Sequence, residues 1–276
     1  MLTFGSLFVG IGGIDLGLEC AGMTCEWQVE INDYCLKVLG KHWPNVARYG
    51  DVRECGLHNL EPVDLICGGF PCQDVSYAGK RKGLKKDTRT GLWYEFARII
   101  RELRPKWVLA ENVPGLLSID SGGGMGTVLR DLAESGYDAE WDCIPAAAFG
   151  APHLRYRVFI VAHSVRTSRP EQEREHQEMG ASQETSCNGQ DGIVAHTTGH
   201  KSRGIFQQGI PTNPGADSNG GRETTWWAAE PDVGRVADGI PSRVDRLRCL
   251  GNAVVPQVAE WIGRRILAVE QGEMAL

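Results

Sequence analysis

The sequence predicts an α/β protein in which a mostly parallel sheet is covered by helices on both faces. Three observations lead there. Strand-like and helix-like stretches alternate through the first 162 residues, the pattern of a parallel sheet with crossover helices. Two of the strand-like runs end in glycines, as chains do where a strand turns sharply beside a ligand. The chain is also long enough, at 276 residues and 42% hydrophobic, to build one large domain with a smaller appendage.

In order, "LTFGSLF" is a first strand, and "GIDLGLECAG" follows with Ile14, Leu18 and Ala21 at helical spacing. "CEWQVEI" is a second strand. Tyr34, Leu36, Val38 and Leu39 mark a short helix that must stop before Pro44. "VDLIC" is a third strand. Gly91 to Arg104 places Leu92, Phe96, Ile99, Ile100 and Leu103 on one helical face, ended by Pro105. "KWVLAEN" is a strand, Met125 to Glu134 an amphipathic helix and "RVFIVA" a further strand. Residues 1–163 therefore read as one α/β domain. From Ser164 the chain turns polar and poor in aliphatics, so 164–246 reads as a small separate region, partly disordered or built on loops. Residues 247–276 return to the first domain through a helix opened by Pro256.

Neither a membrane span nor a secretory signal is expected, and the cytoplasm is the expected compartment. Nine cysteines with no C-x-x-C pair suit free thiols in a reducing compartment better than a disulfide framework. Cys187, His196 and His200 have no second cysteine near them, so no metal site is expected. The net charge of −6 does not favour nucleic acid, but its distribution does. From Lys80 to Lys106 there are ten Lys or Arg against three Asp or Glu. Six of the ten stand directly behind a cysteine loop, which suits a polyanion.

That loop is "GGFPCQDVSYAG". Two glycines end the "VDLIC" run, and Pro71 fixes its own φ and restricts Phe70, so the backbone aims Cys72. Cys67, inside the strand, reads as packing. After the first strand comes "FVGIGG", and Glu30 closes the second strand seventeen residues beyond Gly13. Gly10, Gly12 and Gly13 let a ligand approach the backbone, and an acid at the next strand end can hold ribose hydroxyls. Asp15 occupies the third glycine position of the dinucleotide fingerprint, which favours S-adenosylmethionine over a ligand with a pyrophosphate. Its sulfonium suits an aromatic such as Phe8. Asp51 can accept from an adenine amino group or serve as an ordinary cap. Glu111 can hold a proton at neutral pH, being an acid that closes an apolar run, or simply pair with an arginine. Arg155 and Arg157, two apart at a strand start, share a face and suit a phosphate or carboxylate.

The order of "FVGIGG", Glu30, Asp51, "GGFPCQ", "ENVPGLL", "GAPHLRYR" and "LGNAVVPQ" resembles the cytosine-C5 DNA methyltransferase family, in a form similar to phage, prophage or restriction-modification members. The resemblance implies a Rossmann-like S-adenosylmethionine-dependent methyltransferase fold with a small target-recognition lobe. It implies Cys72 as nucleophile, Glu111 at cytosine N3, and Arg155 and Arg157 around the flipped base. Phe8, Glu30, Asp51, Pro71, Leu92 and Asn252 fall at cofactor contacts, with Gly10, Gly12, Gly13, Ile31 and Ala253 beside them. Phe70, Gln73, Ser76, Lys80, Arg81, Lys82 and Asn112 fall on the substrate side. His153 stands where the family motif has glutamine. The implied partner is double-stranded DNA, with a cognate restriction endonuclease as a candidate counterpart and a monomer as the expected state. Three alternatives compete: an RNA cytosine-C5 methyltransferase, a nicotinamide-dependent oxidoreductase and a non-catalytic DNA-binding protein.

Overall fold

Apolar side chains along the central strands point alternately to the two faces of one sheet, because successive residues of a strand face opposite ways. Leu65, Cys67, Trp107, Leu109, Phe159 and Val161 face one core. Ile66, Val108, Ala110, Val158, Ile160 and Ala162 face the other. The computed structural model describes residues 1–71, 92–165, 205–206 and 242–274. Cys72, Gln73, Ser76, Lys80, Arg81 and Lys82 lie outside the described residues.

The strands are β1 (Thr3–Leu7), β2 (Thr24–Val29), β3 (Ala47–Tyr49), β4 (Leu65–Gly69), β5 (Trp107–Asn112), β6 (Tyr137–Pro145) and β7 (Tyr156–Ser164). Among the described residues they form one sheet in the order β3-β2-β1-β4-β5-β7-β6. The first five strands in that order run parallel. β7 is antiparallel to both β5 and β6. This mostly parallel sheet with helices on both faces is the fold class the sequence predicts.

The helices are α1 (Gly13–Ala21), α2 (Asp33–His42), α3 (Leu92–Leu103), α4 (Gly123–Glu134), α5 (Arg243–Asn252) and α6 (Pro256–Glu270). Trp93, Phe96, Ile99, Ile100 and Leu103 of α3 join Val128 and Leu132 of α4 in the first core layer. Each such side chain contributes roughly 1.5–3 kcal/mol by leaving water. On the opposite face, Ile14 and Leu18 of α1 pack with Val258, Ala259, Ile262 and Ile266 of α6. α6 thus completes the layer on that face.

Three elements are additions to the sequence reading: the three-residue β3, β6 and α5. β6 carries Asp138, Glu140 and Asp142 and exposes Trp141, so it lacks the apolar run of an interior strand. It lies at the sheet edge, where charged residues discourage further pairing. α5 buries little besides Cys249 and exposes Val244, Leu247 and Leu250, so its pattern gives no core-facing stripe. Within the region expected to be a recognition lobe, Ile205 is fully buried in the α6 layer. Glu140 accepts from the Ile205 and Phe206 amides, and Arg265 donates to the Ile205 carbonyl.

Candidate active site

β1 lies between β2 and β4, so the chain leaves its neighbours in opposite directions and opens a crevice at the strands' carboxyl ends. A cleft of about 930 Å³ occupies that crevice.

One wall is the turn after β1 together with the end of β2. Phe8 adopts a left-handed backbone, φ 55°, at the mouth of the turn. Such strain in a non-glycine residue concentrates at ligand sites. Glu30 fixes the turn from below: its Oε2 accepts from the Gly10 amide at 2.7 Å and its Oε1 from the Asn32 amide at 2.8 Å. Each oxygen retains a lone pair for a ligand hydroxyl. Ile31, 67% exposed, presents an apolar face into the cleft. Gly12 stands behind the lining as the N-cap of α1, with φ 84°.

Asp51, Leu92, Asn252 and Ala253 line the same cleft. Asp51 caps the short turn that follows it and is paired with Arg53, whose guanidinium holds the carboxyl below its ordinary range. The C-terminal segment closes in because Gly13 has no side chain. A β-carbon there would strike the Val254 carbonyl.

At the floor, Glu111 ends β5 beside Gly69 at the end of β4, the two being register partners. A β-carbon on Gly69 would lie 2.7 Å from Glu111 Oε2, and one on Gly68 would strike the Leu7 carbonyl. The double glycine is thus needed for close approach on both sides of β4. Glu111 is 8% exposed and bonded to Arg157 Nε at 3.0 Å. Burial pushes its carboxyl up to about 7, against the opposing pull of Arg157 and Arg155.

The expected pair of arginines divides its work. Arg157 lines the cleft and holds Glu111. Arg155, with φ 36°, turns its guanidinium to the Gly251 and Ala253 carbonyls at 2.7 and 2.5 Å. Asn112 lines the cleft but is 1% exposed, and its amide donates to the Phe70 carbonyl at 3.0 Å. Phe70, also buried, packs on Trp93. Together they hold the chain's entry into Pro71, the last cleft residue before Cys72.

A family model for C-5 cytosine-specific DNA methylases matches residues 2–205. The chain belongs to that family. The nicotinamide-dependent oxidoreductase is thereby set aside. The chain is 30% identical over 296 residues to the type II methyltransferase M2.BsuMI of Bacillus subtilis (strain 168), across 95% of this chain and 74% of that one. It is 42% identical over 160 residues to M.Eco47II of Escherichia coli, across 56% of this chain and 38% of the relative. Among solved structures, it resembles a prophage-encoded E. coli protein described as a DNA modification methyltransferase. That match has a TM-score of 0.51 and 29% identity, over 59% of this chain and 47% of the other. For the last two, the chain spans less than half of the relative's length.

Several cleft residues of this family member escape a motif reading. Asn32 caps α2, its Oδ1 accepting from the Tyr34 and Cys35 amides at 3.0 and 3.1 Å. An Asn just before a helix is the signal that could have found it. Glu95 and Arg248 also line the cleft, and neither belongs to a recognisable local pattern. Asp15, which the sequence places at a fingerprint position, faces inward. It is fully buried and accepts from Gln28 Nε2 at 2.8 Å, tying α1 to β2 just before Glu30.

Proposed function

We propose that this chain transfers a methyl group from S-adenosylmethionine to C5 of a cytosine flipped out of double-stranded DNA, through a transient bond between Cys72 and cytosine C6. The observation that carries this is Glu111, a buried carboxyl with a pKa of about 7 held by Arg157 on the floor of a large cleft. A proton-bearing acid there suits a pyrimidine ring nitrogen.

The cleft fits the cofactor chemically. Glu30 offers lone pairs to ribose hydroxyls, Ile31 an apolar face to adenine, and Phe8 an aromatic ring to a sulfonium. When bound, S-adenosylmethionine supplies an electrophilic methyl group. The chain's own residues do the rest. Cytosine C5 is a poor nucleophile until the ring's aromaticity is broken. The Cys72 thiolate does that by attacking C6, while Glu111 donates its proton at N3 and Arg157 steadies the carboxylate left behind. Once C5 has taken the methyl group, loss of the C5 proton to solvent expels the thiolate, and the N3 proton returns to Glu111. C6 is shielded in a stacked duplex, so the base must leave the helix at a cost of roughly a few kcal/mol. The basic stretch at Lys80, Arg81 and Lys82, with Gln73 and Ser76, grips the backbone and fills the gap.

In the same proposal the protein works as a monomer in the cytoplasm, with a cognate restriction endonuclease as its counterpart. Likeness to type II methyltransferases supports that role. Incubation with tritiated cofactor and duplex DNA, with tRNA as competitor, tests the assignment. Label at cytosine C5 is expected, and Cys72→Ser should abolish it. Undiminished label in that variant, or label in the tRNA alone, overturns the proposal.

A further inference from the structure

Cys35 of α2 and Cys249 of α5 are 214 residues apart in sequence, yet their sulfurs lie 3.4 Å from each other. Both residues line the cleft, at 5% and 7% exposure. Cys35 stands three residues after Asn32, and Cys249 three before Asn252. None of the mechanism above uses them. We propose that this dithiol is an oxidative modification site, and that a Cys35–Cys249 disulfide formed by hydrogen peroxide closes the cleft to its nucleoside cofactor. The inference rests on the cofactor assignment made above.

The chemistry balances with peroxide as the two-electron oxidant. One sulfur attacks hydrogen peroxide, becoming a sulfenic acid and releasing water. The second sulfur then displaces the hydroxyl from the first, and the proton it loses leaves with that hydroxyl as a second water. Two thiols are oxidised and one peroxide is reduced. Burial and the bond to Cys249 keep the Cys35 thiol protonated well above the ordinary thiol range, with Glu30 reinforcing and Arg248 opposing that shift. Only the thiolate attacks peroxide, so oxidation through Cys35 is slow at neutral pH and quickens as pH rises.

A disulfide holds its sulfurs roughly 2.05 Å apart, so the two sulfurs must approach by more than an ångström from 3.4 Å. In the proposal, part of that approach is taken up by α2 and α5 moving together. Packed walls do not absorb such a shift without loss of fit. Asn32 caps α2, while Asn252 and Ala253 end α5, and all three line the cleft. Bound cofactor should in turn slow oxidation, because the coupling is reciprocal.

The test uses the full chain with Cys72→Ser as background, so that oxidation of the loop thiol does not enter. After hydrogen peroxide treatment, mass spectrometry of non-reduced peptides should show Cys35 joined to Cys249. Calorimetry with S-adenosylhomocysteine should show affinity at least about tenfold weaker than in the reduced sample, restored by dithiothreitol. Adding Cys35→Ser should leave less than a twofold response to peroxide, relative to that variant's own reduced form. Absence of the cross-linked peptide, or a cross-link that leaves affinity unchanged, overturns the inference. A reduced protein that binds no S-adenosylhomocysteine refutes the cofactor assignment instead, and with it the proposed closure.

Discussion

The Glu111 carboxylate rests against the backbone of Gly69, close enough that any side chain at Gly69 would enter its space. The acid's position is therefore set by a missing β-carbon on the neighbouring strand. Gly69→Ala should displace Glu111 and leave the sheet intact. Since misplacement of a catalytic group by about 1 Å can cost ~100-fold, we expect kcat/KM to fall by about that factor with the circular dichroism spectrum unchanged. Near-normal turnover in this variant would mean that Glu111 is not positioned as described.

Glu111 should also set the upper pH limit of activity. Its carboxyl is pushed up to about 7 by burial, so it carries its proton below that pH and loses it above. Activity that depends on donation at N3 should decline as pH rises through 7, against the opposing gain in Cys72 thiolate. A single-turnover pH profile should therefore bend downward near 7. In Glu111→Gln the bend should vanish and the rate should drop by roughly 10²–10⁴.

Asp15 gives a stability prediction of definite sign. Burial raises its carboxyl from 3.8 to about 6, with Glu19 adding to the shift and the Gln28 bond opposing it. The folded state therefore binds its proton more tightly than the unfolded chain does. This contribution is fully present below about pH 4, is lost as pH rises towards 6, and amounts to about 3 kcal/mol. Asp15→Asn keeps an acceptor for Gln28 and has no charge to bury. Urea denaturation should show the variant more stable than the parent at pH 8, with the gap closing at pH 4. A variant less stable at pH 8 would contradict this.

Much of this site was legible because its chemistry sits where strands end. Gly69 and Pro71 ahead of Cys72, the acid of "KWVLAEN" and the acid closing "CEWQVEI" all line the cleft. Glu111 and Asp51 had ordinary alternatives, pairing with an arginine and capping a turn, and both are met: Glu111 pairs with Arg157 and Asp51 caps the turn after it. What stayed hidden depends on contacts distant in sequence. Arg155 was grouped with Arg157 by spacing alone, and nothing local reveals that it reaches across to Gly251 and Ala253. β3, β6 and α5 were missed because a three-residue strand, an edge strand rich in acids and a mostly exposed helix lack the apolar periodicity that betrays buried elements.

Arg155 supplies a fourth prediction. By holding the carbonyls at Gly251 and Ala253 it fixes the segment that carries Asn252 into the cleft. Arg155→Ala should raise the KM for S-adenosylmethionine more than it lowers kcat, by about tenfold for the loss of two charge-assisted bonds. A purely kcat effect would assign Arg155 to the base and not to the cofactor segment.

The most direct measurement offers the protein duplex DNA carrying 5-fluorocytosine in its target, together with S-adenosylmethionine. Fluorine at C5 cannot leave as a proton does, so the bond between Cys72 and C6 should persist. Mass spectrometry should find the oligonucleotide attached to the Cys72 peptide in the parent and absent from Cys72→Ser. Methylation of ordinary cytosine by a protein that forms no such adduct would contradict the central claim.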